Sequence, residues 1–154
     1  MIQYKSGYKY QLYKPYSIVI PVAPGPPAIG DTYFCGPFLS LSAEGQLRIE
    51  PGYAWDGCSG PTWDDNTNME AGLVHDALYQ FIRNKILSES VFREVADNML
   101  YDIMYAQLLE DEPWWRPAIL HKAWAATRAG YYYKAVRAFG GAAVKKPREI
   151  LEAP

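Results

Sequence analysis

A chain of 154 residues and 17.4 kDa is the size of one domain with a real hydrophobic core. Its 49% apolar and 21% charged residues exclude a disordered chain, and a net charge of −2 supplies no basic field for nucleic acid. Two cysteines cannot form a four-ligand zinc site by themselves, and with two histidines a zinc finger is not expected; no apolar run approaches the roughly 18 residues of a membrane span.

The whole chain, 1–154, reads as a single domain in three portions, with no internal repeat. Residues 1–62 are strand and loop. The stretch MIQYKSGYKYQLYK lacks the apolar core of a signal peptide, so synthesis in the cytoplasm is expected, without a signal peptide or transmembrane segment. Gln11–Ile20 ends in the β-prone run Ser17-Ile-Val-Ile20, and Tyr33–Leu41 is a second aromatic and aliphatic run. Between them Pro21–Pro27 is too rich in proline for helix or central strand and reads as a surface loop. After the turn Ala43-Glu-Gly45, Gln46–Ile49 alternates as a short strand.

The pattern turns helical over 63–141. Thr67-Asn-Met-Glu70 fits a capping box, and from there to about Asn84 the apolar residues Ala71, Val74, Leu78 and Phe81 recur at helical spacing. A second helix runs from about Ser88 to Leu109, with Val91, Val95, Met99, Ile103 and Met104 inward. A third follows Pro117 and runs to Phe139, where Gly140-Gly141 can end it; Gly130 invites a break in its middle. Residues 142–154 are expected to be a loose polar tail. The fold class is therefore α+β: a β-rich N-terminal half on an antiparallel helical pair, closed by a long C-terminal helix.

The chemistry gathers around one of the two histidines. His75 and Tyr79 are four apart on one helix face, while Asp76 turns about 100° away. The short link Lys85–Leu87 folds the second helix back antiparallel, which can bring Asp97 against His75, and Asp56 in its glycine-flanked loop can reach Asp76. A neutral imidazole whose far nitrogen is held by a carboxylate has a fixed tautomer and can take a proton from water. Asp56 and Asp76, with carbonyls of the Gly57–Gly60 loop, are hard oxygen donors that suit Ca²⁺ rather than zinc.

At these residues the chain resembles the secreted phospholipases A2, in their compact bacterial and fungal form. The matching motifs are Asp56-Gly57-Cys58-Ser59, His75-Asp76-Ala77-Leu78-Tyr79 and Ala96-Asp97, within about Asp56 to Met104. The resemblance implies that His75 is the base, Asp97 its orienting partner and Tyr79 a supporting donor. It also implies that Asp56, the Gly57 carbonyl and Asp76 hold calcium. The cysteine that those enzymes carry just before the His-Asp pair has no counterpart among Ala71, Gly72, Leu73 and Val74. Over nearly its full length the chain is also similar to a phage- and prophage-encoded family of unassigned function. That likeness lies in Gly52-Tyr-Ala-Trp-Asp-Gly57, in His75–Tyr79 and in Val136-Arg-Ala-Phe-Gly-Gly141.

The implied function is a phage-encoded, calcium-dependent phospholipase A2-like hydrolase of glycerophospholipids, made in the host cytoplasm. Its partners would be a phospholipid membrane surface or virion proteins, with no nucleic acid. Two alternatives stay open: a non-catalytic virion or tail protein, with association to the virion, and a peptidoglycan-acting hydrolase. Other residues have plainer readings. His121 is expected to be a partly exposed helix residue, Asp64-Asp65 to favour a helix start, and Asp102 to lie on a helix face. Tyr131–Tyr133 read as packing, and Trp114-Trp115-Arg116 as a cluster able to dip into a lipid interface; Cys35 and Cys58 allow one disulfide or two free thiols, the second being favoured. A Cys58–His75 nucleophile pair is the minor option at that loop.

Overall fold

The computed structural model describes residues 2–4, 9–21, 32–57, 65–111, 115, 117–145 and 151–153. It is α+β, as the sequence indicates. Among the described residues, eight short strands come in chain order as β1 (Ile2–Tyr4), β2 (Tyr10–Gln11), β3 (Tyr16–Val19), β4 (Thr32–Cys35), β5 (Leu39–Ser42), β6 (Gln46–Ile49), β7 (Ala54–Trp55) and β8 (Leu151–Ala153). The helices α1 (Met69–Arg83), α2 (Glu89–Glu110) and α3 (Ala118–Lys145) lie between β7 and β8. The central sheet is antiparallel in the order β3-β6-β5-β4, and two smaller ladders pair β2 with β7 and β1 with β8.

Alternation along the sheet explains which face is covered. Leu39, Leu41, Leu47 and Ile49 point inward and are fully buried, while Gln46 and Arg48 between them are exposed. The aromatic and aliphatic run Tyr33–Leu41 forms the hairpin β4–β5, because Gly36 takes a left-handed φ of 66° and turns the chain. At the next turn Gly45 has φ 92°, and its carbonyl accepts from the Ile20 amide at 2.9 Å. A Cβ there would stand 2.9 Å from the Ile20 carbonyl oxygen, so only glycine fits without a shift.

α1 is the hub. Ala71, Leu73, Val74, Ala77, Leu78, Phe81 and Ile82 are buried on several sides, because the sheet covers one face and α2 the other. The capping box does not form: Asn68 is the N-cap, without a side-chain cap bond, and Thr67 bonds Asp65. Glu70 is drawn away to accept from Tyr16 Oη at 2.5 Å and Gln107 Nε2 at 2.5 Å, tying α1 to β3 and α2. After Asn84, Lys85 takes φ 58° and reverses the chain into α2, antiparallel to α1.

Within α2, Val95, Met99 and Met104 are buried as the spacing requires, but Val91 is 47% exposed and Phe92 takes the inward place in the first turn. α3 runs unbroken through Gly130 and past Gly140-Gly141 to Lys145. Its Ala125, Ala129, Tyr132 and Val136 pack with Leu100, Met104 and Leu108 of α2, and this packing outweighs the glycines' low propensity. Residues 151–153, expected in a loose tail, pair with β1. The Pro21–Pro27 loop, apart from Pro21, and Cys58, Asp64, Trp114 and Arg116 lie outside the described residues.

Candidate functional site

Asp97, on the inner face of α2, has no solvent exposure. An ionised carboxylate so placed must be satisfied by protein donors. Three converge on it: His75 Nε2 at 3.1 Å and Tyr79 Oη at 2.8 Å reach Oδ1, and Arg137 Nη1 reaches Oδ2 at 2.9 Å. One helical turn of α1 supplies the first two, since positions four apart share a face; α3 supplies the third. The structure thus brings His75, Tyr79 and Asp97 together.

The charges reinforce the geometry. Burial alone would raise the Asp97 carboxyl, but His75, Tyr79 and Arg137 hold it below the usual aspartate range. As an ionised carboxylate it only accepts, so Nε2 of His75 must carry the proton of that bond. Burial of the imidazole would depress it, yet Asp76 and Asp97 outweigh this and hold His75 above its ordinary value. Tyr79 is held well above the usual phenol range, first by burial and then by Asp97, with Arg93 opposing. Its ring lies against the imidazole, with centroids 4.1 Å apart, and confines His75 further.

The other nitrogen of His75, Nδ1, lies 3.6 Å from Asp76 Oδ1, a charge contact too long for a hydrogen bond. Asp76 Oδ2 accepts from the backbone N–H of Asp56 at 3.3 Å. So Asp56 does reach Asp76, through its main chain. β7 delivers it there, Trp55 packing on Tyr10 before Gly57 turns at φ 79°. Oxygen donors of this kind fit calcium chemically, although no three His, Cys, Asp or Glu side chains gather as a metal group among the described residues. His75 itself is only 7% exposed. A cleft of 490 Å³ at Ser88, Arg93 and Arg137 touches the network through Arg137, and another of 540 Å³ lies at Phe34, Phe38, Tyr53 and Gln80; neither is lined by His75.

Sequence reasoning missed Arg137 and Arg93. Arg137 closes the carboxylate from α3, and Arg93 Nη2 donates to the Arg137 carbonyl at 2.7 Å. The available signal was the pair Gly140-Gly141. A Cβ on Gly140 would lie 2.5 Å from Tyr79 Oη, and one on Gly141 3.2 Å from Arg93 Nη1. The glycines admit the site to α3 rather than end the helix.

Other expectations resolve plainly. His121 is buried, 1% exposed, and donates Nε2–H to the Leu108 carbonyl at 2.6 Å, fastening α3 to the end of α2. It is not the partly exposed residue expected from its neighbours Leu120 and Lys122, because α2 covers that side of α3. Asp65 accepts from Thr67 and pairs with Arg128, Asp102 is exposed, and Tyr132 is the buried member of its tyrosine run while Tyr131 is exposed. Cys35 is a buried free thiol that accepts from Asn84 Nδ2 at 2.9 Å.

Two predictions follow from the network. Because folding raises His75, its stabilisation is full below the unfolded value of about 6.5 and fades as pH climbs through the folded one. Because folding lowers Asp97, its share is present above about 3.9 and is lost as pH falls through its folded value. The melting-temperature gap between native protein and His75→Gln is therefore widest near pH 5 to 6 and narrower at pH 8; a gap that grows with pH contradicts this. Gly140→Ala, which helix propensity alone would favour by about 1 kcal/mol, should instead destabilise by displacing Tyr79. In a Tyr79→Phe background the penalty should shrink, read as a double-mutant cycle of unfolding free energies.

Compared with protein-family models, curated proteins and solved structures, the chain matches none.

Proposed function

We propose that the protein is a phospholipase A2-like, calcium-dependent hydrolase of glycerophospholipid esters, with His75 as general base. One observation carries the reading: the wholly buried Asp97 fixes the imidazole through Nε2, which leaves Nδ1 on the Asp76 side. In the neutral ring that nitrogen holds a lone pair. Water attacking the acyl carbon would give its proton to Nδ1. As the tetrahedral intermediate collapses, the ester C–O bond breaks and the same proton passes to the leaving alkoxide. Asp97 stays ionised throughout, and Tyr79 and Arg137 keep it from swinging away.

Asp76, Asp56 and the carbonyl of Gly57 would hold the calcium ion. When bound it supplies positive charge for the carbonyl oxygen of the ester. The phage setting rests on the sequence resemblance, and disruption of a membrane would suit it.

A second reading has its own support. His75 and Asp97 are both buried, and three side chains converge on Asp97, as in a network that serves stability alone in a virion component. The two readings part in one assay, fatty-acid release from mixed phospholipid micelles with calcium or with chelator. The enzyme reading expects calcium-dependent release, reduced at least about 100-fold by His75→Ala, in protein whose circular dichroism shows it folded. It also expects calcium to raise the melting temperature, ligand at 100 times its Kd adding about 2.7 kcal/mol. Folded native protein that releases nothing and ignores calcium would establish the stability reading instead.

A further inference from the structure

α3 turns a second apolar face to solvent. One side of the helix, through His121, Ala125, Ala129, Tyr132 and Val136, is buried. On the other, Ile119 is 78% exposed and Leu120 60%, with Trp124 and Tyr131 exposed further along and Trp115 just before the helix. Leu120, Trp124 and Tyr131 stand at i, i+4 and i+11 and so form one stripe about three turns long. Trp124 is held in place by the His121 ring, 5.5 Å away between centroids, and by the Arg128 guanidinium over it. Contiguous exposed apolar surface of this kind marks a place of interaction.

Charge says with what. α3 contains Lys122, Arg128, Lys134, Arg137 and Lys145 and not one Asp or Glu, in a chain whose net charge is −2. The helix is therefore cationic, although the chain as a whole is not. Arg128 and Arg137 are engaged with Asp65 and Asp97, while both lysines are exposed, Lys134 beside the stripe and Lys122 round the helix on the far side of Ile119, at the flank. Tryptophan and tyrosine favour the boundary between headgroups and acyl chains, aliphatics enter just below it, and lysines reach the phosphates. A nucleic acid would use the aromatics and lysines but would leave Ile119 and Leu120 in water. A second copy placed face to face would set cationic helix against cationic helix.

We propose that this face of α3 docks the protein on an anionic phospholipid surface, with Trp115, Ile119, Leu120, Trp124 and Tyr131 at the headgroup boundary. The docking needs no catalytic step, and it would hold whether or not His75 acts as a base.

The test is cosedimentation of the full chain with vesicles of ether-linked phospholipid, which offer no ester to hydrolyse. Vesicles of phosphatidylcholine alone are compared with an equal mixture of phosphatidylcholine and phosphatidylglycerol. Native protein should bind the anionic vesicles at least about tenfold more tightly, less so in high salt. The double variants Ile119→Ser/Leu120→Ser and Lys122→Glu/Lys134→Glu should each lose about tenfold, with unchanged circular dichroism and melting. Having two variants that remove different forces keeps the result readable if one of them misfolds. Native protein that ignores the vesicles, or folded variants that bind as it does, would overturn the proposal. So would a concentration-dependent dimer abolished by Ile119→Ser/Leu120→Ser, or retention on single-stranded nucleic acid in place of lipid.

Discussion

A carboxylate with no access to water governs the helical half of this protein. Asp97 could not remain ionised inside without donors, and removing any one of them would leave buried charge short of a partner, typically at a cost of several kcal/mol. Its partners come from two different helices: His75 and Tyr79 from α1, Arg137 from α3. The demand of one side chain thus fixes how three helices meet. Gly140 follows from the same demand, since α3 can approach Tyr79 only where it has no Cβ.

Around that point the fold supplies rigidity at several scales. The sheet buries one flank of α1 through Leu39, Leu41, Leu47 and Ile49, and Glu70 fastens its first turn to β3 and α2. His121 and Asp65 fix α3 near its start, to the Leu108 carbonyl and, through Arg128, to the segment before α1. The imidazole of His75 therefore sits on elements that are held at both ends. A site of that construction suits a reaction needing one fixed nitrogen; the same construction would also stabilise a protein without any reaction.

Much of this was legible before the structure, and for physical reasons. Local periodicity places α1 and α2, a short link makes them antiparallel, and spacing of four puts His75 and Tyr79 on one face, so their meeting with Asp97 could be read off the chain. Arg137 could not, because it is 40 residues from Asp97 and its partner is set by how α3 packs. His121 misled for the same reason: its sequence neighbours are solvent-facing, and only α2 makes its own direction an inside. Thr67 and Glu70 had the capping pattern, but tertiary partners offered Glu70 better bonds than the helix end did. Glycine was the most ambiguous letter. Gly36 and Gly45 turn the chain, whereas Gly130 and Gly140 continue a helix, one without consequence and the other to let Tyr79 in.

The account turns on Asp97 being ionised and fixing the imidazole through Nε2. Nitrogen-15 NMR of labelled histidine, with His75→Gln to assign the signal, reads that directly. Above the raised value of His75, the neutral ring should carry its proton on Nε2 and leave Nδ1 bare. A proton found on Nδ1 would mean that Asp97 does not set the tautomer, and the base would then have no nitrogen to offer on the Asp76 side.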